Sequence, residues 1–225
     1  MAEARRLAHP PSLAVSLGNS AMLLWLMGDD ATLHERADEL VAVATEQGFP
    51  GWQALGTTFR GWVKVKTGDA AEGLFLLRSG SATNRATGAE HIMPYSLALL
   101  AEAYEIAGQT GDAMTQLDEA LEIVERTGER WFAPKLYRHK GQLLLGQGHS
   151  EAAEELYYTA SSIAGEQHAK LWELRTAMSL AQLRHDQGSR GEARDLLAPV
   201  YGWFTEGFDT ADLKEAKLLL EGLHA

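Results

Sequence analysis

Two of the chain's basic residues, Lys135 and Arg175, stand 40 residues apart, and a third, Arg138, follows Lys135 by three. On a chain with a formal net charge of −11 this small cluster stands out. It could clamp a carboxylate or an acidic side chain, because the arginine fork gives a carboxylate two parallel hydrogen bonds. It could equally be neutralised inside the scaffold by Glu102 and Glu105. Trp25 and Trp62 offer a second kind of chemistry: a large rigid ring, if exposed, anchors a partner at low entropic cost. The competing reading for both is plain core packing. Catalytic patterns are missing. None of the eight histidines forms HExxH or an HxxxH pair, and His139 lies between Arg138 and Lys140, which disfavours a bound cation. The acidic run DEALEIVE (118–125) reads as the solvated face of a helix. No serine sits in GxSxG, and GQTGDAMT (108–115) lacks the lysine of a phosphate loop. No catalytic residue, metal ligand or cofactor is therefore nominated.

Composition narrows the classes further. A chain of 225 residues can bury a core, either as one domain or as one repeat array. The acidic balance, with an isoelectric point near 5.2, argues against nucleic acid and anionic membranes, which want a basic face. Absence of cysteine removes disulfides, thiolate zinc sites and a thiol nucleophile, and fits a reducing cytoplasm, the expected location. Arg5 and Arg6 before the apolar run 13–27 superficially resemble a signal peptide. That run contains Ser16, Gly18, Asn19 and Ser20 and is too short to span a bilayer, so a buried helix is expected.

What must position the candidate residues is a repeat. Gly28, Gly68, Gly108, Gly148 and Gly188 follow one another at steps of 40. A second row holds Gly48, Gly88 and Gly128, then His168 and Phe208. A third is small (Ala21, Gly61, Ala101, Gly141, Ala181), and a fourth is bulky (Trp52, Ile92, Phe132, Trp172). Glycine closing an apolar run at helical spacing implies a left-handed helix end, so each unit reads helix, turn, helix, turn. The small row would let helices approach, and the bulky row, with Trp131 beside it, would pack on the preceding pair. First helices are predicted near 12–27, 51–67, 90–107, 131–147 and 170–187. Second helices are predicted near 30–47, 70–87, 111–127, 150–166 and 190–205, and a last helix near 210–223. Pro94 and Pro134 fit a first helical turn, while Ser150 and Asp112 are plausible start signals.

These columns resemble tetratricopeptide-type repeats, most clearly in LALLAEAYEIAGQTGDAMTQLDEAL (97–121), although the usual period is about 34. Leu33 and Gly73 depart from the alanine column formed by Ala113, Ala153 and Ala193. GQLLL (141–145), ELRTAMSLAQL (173–183) and the stretch 187–223, above all FTEGFDTADLKEAK, resemble the C-terminal repeat region of large bacterial regulators. Those proteins join a cyclase or DNA-binding domain to a P-loop ATPase and then to such repeats. The resemblance implies an all-α, right-handed helical-repeat solenoid in a single domain over 1–225. Its repeats lie near 11–48, 49–88, 89–128, 129–168 and 169–208, with a capping helix at 209–225. It also implies the repeat region alone, without the ATPase or cyclase activity; Met1 permits a chain that stands by itself, while the missing upstream modules suggest a piece of a longer one.

In such an array the first helices are expected to line a concave face that holds peptides. The 40-residue step writes its columns: Val15, Leu55, Tyr95, Lys135, Arg175; Gly18, Thr58, Ala98, Arg138, Met178; Met22, Trp62, Glu102, Gln142, Gln182; Trp25, Val65, Glu105, Leu145, His185. The expected contacts are Trp25, Trp62, Tyr95, Glu102, Lys135, Arg138, Gln142, Arg175 and Gln182. The reading is a non-catalytic protein-interaction module of a bacterial signalling system. Its partner would be a protein or peptide, with an ATPase or cyclase module among the implied ones. The alternatives are a small-molecule effector sensor, favoured by a closed aromatic pocket at Trp25, Trp62 and Tyr95, and an enzyme of unrecognised type. Phe204-Thr-Glu-Gly-Phe-Asp-Thr210 reads as a joint: Gly207 ends a helix, Asp209 or Thr210 caps the next, and Phe204 and Phe208 fill the seam.

Overall fold

Helix ends recur with the glycines. The computed structural model describes residues 2–88 and 90–224, apart from the His224 side chain. Ala89 and Ala225, which bound the expected third repeat and cap, lie outside the described residues. Twelve α-helices and one 3₁₀ turn are found among the described residues. First helices are α2 (Pro10–Met27), α4 (Pro50–Lys66), α6 (Met93–Ile106), α8 (Ala133–Gly146) and α10 (Lys170–Asp186). Second helices are α3 (Asp30–Gln47), α5 (Ala70–Ala86), α7 (Thr110–Thr127), α9 (Ser150–Glu166) and α11 (Arg190–Tyr201), and α12 spans Ala211–His224. A short α1 (Ala2–Arg6) was not foreseen, and Glu90–Ile92 forms the 3₁₀ turn before α6.

Eight glycines of the two glycine rows have φ between 66° and 95°. Where the second row holds His168 instead, that residue still adopts φ 53°, and Ala8, one step before Gly48, adopts φ 46°. The register of the repeat therefore outweighs the cost of placing a Cβ in the left-handed region. Pro94 and Pro134 occupy the first turn of their helices as expected. Ser150 is itself the first helical residue rather than the cap. Side-chain caps instead come from His9, Asp29 and Asp69, which accept the backbone N–H of Ser12 (3.3 Å), Thr32 (3.1 Å) and Glu72 (3.4 Å).

The helices gather into two compact units, residues 1–127 and 128–225. In the first unit α4 and α5 are in closest approach. A Cβ on Gly61 would lie 2.7 Å from the Gly73 carbonyl oxygen, and one on Gly73 would lie 2.5 Å from a Val65 methyl. Gly73 departs from the alanine column because two backbones meet there. Leu33, the other departure, is wholly buried. Trp52 packs on α2, where a Cβ on Gly18 would meet its ring at 2.5 Å. An edge-to-face stack runs through the unit: Trp25 to Trp62 (6.2 Å between ring centres), Trp25 to Tyr95 (5.2 Å) and Phe59 to Tyr95 (6.1 Å). Such pairs contribute roughly 0.5–1.5 kcal/mol each beyond the area they bury.

In the second unit the small residue Gly141 gives room to the Tyr157 ring, 2.6 Å from where its Cβ would stand. Trp172 packs edge-on against Phe132 at 5.6 Å. Trp131 does not open α8: it precedes that helix and is exposed. The cap buries Leu213, Ala216, Leu220 and Leu223 against Leu174, Ala177 and Leu197, with Phe204 packed beside them. The joint differs from expectation in three ways. Helix α11 stops at Tyr201, two residues after the internal Pro199, which removes a helical N–H. Gly207 (φ 76°) therefore lies within the link rather than at a helix end. Phe208 is exposed, with its ring centre 6.0 Å from that of Tyr201. Thr210 immediately precedes α12, and its hydroxyl donates to the Gly207 carbonyl oxygen at 2.7 Å.

Candidate functional site: a charged cleft in the second unit

One face of α8 carries Lys135, Arg138, Gln142 and Leu145, and the matching face of α10 carries Arg175, Met178, Ser179 and Gln182. Spacings of three and four place each set on one side of its helix. The two faces, with Tyr157 from α9 and Asp212, Glu215, Leu218 and Leu219 from α12, line a cleft of about 940 Å³. Five of the nine nominated residues thus come together: Lys135, Arg138, Gln142, Arg175 and Gln182.

Three cations and two carboxylates, Asp212 and Glu215, face this space. Arg175 is held on two sides. Its guanidinium carbon lies 5.3 Å from the centre of the Trp172 ring, and its fork donates to Asp212, Nε to Oδ1 at 2.6 Å and Nη2 to Oδ2 at 2.9 Å. One scaffold carboxylate on the basic cluster is therefore Asp212. Arg138 reaches the Ser179 hydroxyl at 3.5 Å, and that hydroxyl donates to the Arg175 carbonyl oxygen at 3.2 Å. Gln182 is exposed and its amide donates to Asp186 at 2.7 Å. Lys135 is largely buried, so its aliphatic stem forms part of the wall. Burial pushes the Tyr157 hydroxyl up to about 12, against the lowering effect of the Arg138 charge.

The remaining nominated residues lie elsewhere. Trp25 and Trp62 retain only 7% exposure and Tyr95 none, so all three are packing groups of the first unit. Trp25 meets both other rings edge to face. The Trp62 indole N–H donates to Asp30 at 3.1 Å. Glu102 lies near enough to Tyr95 for its charge, added to burial, to hold that phenol well above the ordinary value.

Sequence reasoning missed the contribution of α12. Carried one step further, the columns reach Glu215 from Arg175 and Leu218 from Met178, both cleft residues. The cap is in phase with the first helices and completes the cleft as a sixth one would. Among the described residues no group of three His, Asp or Glu is placed to hold a metal ion. Nor is any described helix long and apolar enough to cross a membrane.

This architecture is that of the tetratricopeptide-like helical repeats. No protein-family model matches the chain, and no curated protein matches its sequence. Among solved structures it is similar to BtubC (BKLC) from P. vanneervenii, with a TM-score of 0.70 at 16% identity, covering 90% of this chain and 83% of that one. It is also similar to a Rap protein complexed with Competence and Sporulation Factor (TM-score 0.66, 13% identity, 94% of this chain and 63% of that one). A third likeness is to a tetratricopeptide repeat protein from Parabacteroides merdae (TM-score 0.53, 14% identity, 95% and 74%). At these identities the likeness concerns the fold.

Proposed function

We propose that this chain is a non-catalytic interaction module that holds a peptide or an extended partner segment in the cleft between α8, α10 and α12. The observation that carries the reading is the convergence of Lys135, Arg138, Gln142, Arg175 and Gln182 on one cleft from two helices. Its walls alternate charge with Leu145, Met178 and Leu219, which suits a segment bearing both acidic and apolar side chains. The reading is in keeping with one protein of similar fold, the Rap protein solved in complex with Competence and Sporulation Factor. A cytoplasmic place in a bacterial signalling system, beside an ATPase or cyclase, rests on the resemblance carried by FTEGFDTADLKEAK. The unbroken step of 40 supports treating 1–225 as one repeat domain.

An unbiased peptide array probed with the wild type and with Arg138→Glu tests the reading. A discrete set of peptides should bind the wild type and be lost in the variant. The same set at the same intensity with both would end it. The effector-sensor alternative moves to this cleft, whose volume lies within the range of small-molecule sites, roughly 300–1,000 Å³. Binding of metabolites but of no peptide would favour it.

A further inference from the structure

Alone among the described helices, α2 carries no aspartate, glutamate, lysine or arginine over its whole length, Pro10–Met27. A helix without charge is normally buried all round. Helix α2 is buried on one side only. Ala14, Leu17, Gly18, Ala21 and Trp25 turn inward, and the helix packs on α3 and α4. A second stripe at steps of four, Pro11, Val15, Asn19, Leu23 and Met27, is exposed at all five positions. Val15, Leu23 and Met27 retain 42%, 59% and 62% exposure. Side chains at steps of four form a ridge, the shape that seats in a groove of another helix.

We propose that this ridge is a self-association surface, covered in solution by α2 of a second copy that runs antiparallel across a two-fold axis at Asn19. Three features favour a second copy over any other occupant. First, the stripe is self-complementary about its centre. Val15 and Leu23 stand four residues to either side of Asn19, and Pro11 and Met27 stand eight to either side. A two-fold axis there lays Val15 on Leu23 of the second copy. It also sets the two Asn19 amides face to face, where each has the donor and the acceptor that the other needs. In coiled coils a lone asparagine on an apolar seam fixes register in this way. Second, the ends of α2 differ in charge: Arg5, Arg6 and His9 precede it, while Asp29 and Asp30 follow it. Antiparallel pairing brings the basic end of one copy to the acidic end of the other, and it opposes the two helix dipoles. Third, each copy has a formal net charge of −11, so two copies repel one another. The uncharged strip of α2 is where they approach at least cost. Size sets the strength. Eighteen residues make a ridge about 27 Å long and about 10 Å wide, so roughly 300 Å² of each copy is covered. Standard interfaces cover about 800 Å² per partner. The dimer is therefore weak and reversible, with a Kd on the order of 10 µM. The ridge shares no residue with the cleft, and neither reading depends on the other.

Sedimentation velocity of the full chain from about 1 to about 300 µM tests the association. The wild type should pass from monomer to dimer, and Leu23→Glu should weaken the dimer by at least about 30-fold. The control Phe75→Glu, a similarly exposed change on α5, should leave the Kd within about twofold. A wild type that stays monomeric overturns the proposal and leaves the ridge to a different partner. Association that survives Leu23→Glu, or that Phe75→Glu weakens as much, overturns it too. Disulfide trapping tests the two-fold axis without that variant, because the chain has no cysteine. Asn19→Cys should form a covalent dimer under mild oxidation. Val15→Cys and Leu23→Cys should each stay monomeric alone. Across the axis, equivalent Cα atoms at either position lie about 12 Å apart along the helices, beyond the roughly 7 Å that a disulfide spans. Mixed together, those two variants should cross-link. Trapping of either one alone as fast as Asn19→Cys overturns the antiparallel pairing, as does failure of Asn19→Cys to trap.

Discussion

The same repeat position does opposite work in the two units. Column for column, Tyr95 of α6 corresponds to Lys135 of α8 and Arg175 of α10. In the first unit that position holds a wholly buried ring inside an aromatic stack. In the second, Arg175 borders a cleft and pairs with Asp212, while Lys135 contributes a largely buried stem to the wall. The difference shows that a repeat fixes where a side chain starts, while its neighbours decide whether it is sealed or reachable. Two tyrosines make the contrast electrostatic. Burial raises both, but beside Tyr95 the negative charge of Glu102 adds to the rise, whereas beside Tyr157 the positive charge of Arg138 opposes it.

The comparison breaks most readily at Tyr95. Tyr95→Ala should cost about 4 kcal/mol in urea unfolding, as large-to-small changes of buried aromatics do. Arg175→Gln should cost far less, about 1 kcal/mol, because its pair with Asp212 is partly solvated. A loss of stability as great as that of Tyr95→Ala would mean that the second unit's column is also core. Next come the small residues. Gly61→Ala should destabilise by about 3 kcal/mol, since its new methyl meets backbone atoms that cannot yield. Gly141→Ala should cost about 1–2 kcal/mol, because the Tyr157 ring can shift toward the cleft.

Alkaline titration sharpens the contrast. A hydroxyl whose folded value is raised contributes stability that is complete below the unfolded value and lost as pH rises through the folded one. For Tyr157 that window runs from its ordinary value of 10 to about 12. Phenolate absorbance should therefore show Tyr157 ionising late, and Tyr157→Phe should remove its share of the alkaline loss. Arg138→Gln should delay it further, and Glu102→Gln should let Tyr95 ionise earlier; identical titration curves would sink the electrostatic contrast. The smallest effect is expected at Glu90 and Arg126, an exposed pair at 3.0 Å. Glu90→Gln should leave the thermal midpoint unchanged within error.

Most of the fold was legible because its signals are local and periodic. Ten of the helices that follow α1 were placed to within three residues at both ends, the exception being α11, where Pro199 shortens the expected helix. The cleft was legible in part. The columns led to Lys135, Arg138, Gln142, Arg175 and Gln182, yet stopped one step short of Glu215 and Leu218, and they carried no sign that Asp212 would seat on Arg175. Nor could they separate Trp25, Trp62 and Tyr95 from surface anchors, since identical spacing serves a core ring and an exposed one.

By itself, then, the sequence determined the repeat, its helices and their turns. These depend on apolar spacing within a helix and on which residue meets the left-handed turn, even when that residue is His168. The tertiary structure decided burial and pairing. Whether Gly73 was a weak alanine column or a backbone contact depended on how near α4 comes to α5. Whether Arg175 faced a ligand or a scaffold carboxylate depended on α12 folding back across α10, a contact between residues 37 apart that no local pattern encodes.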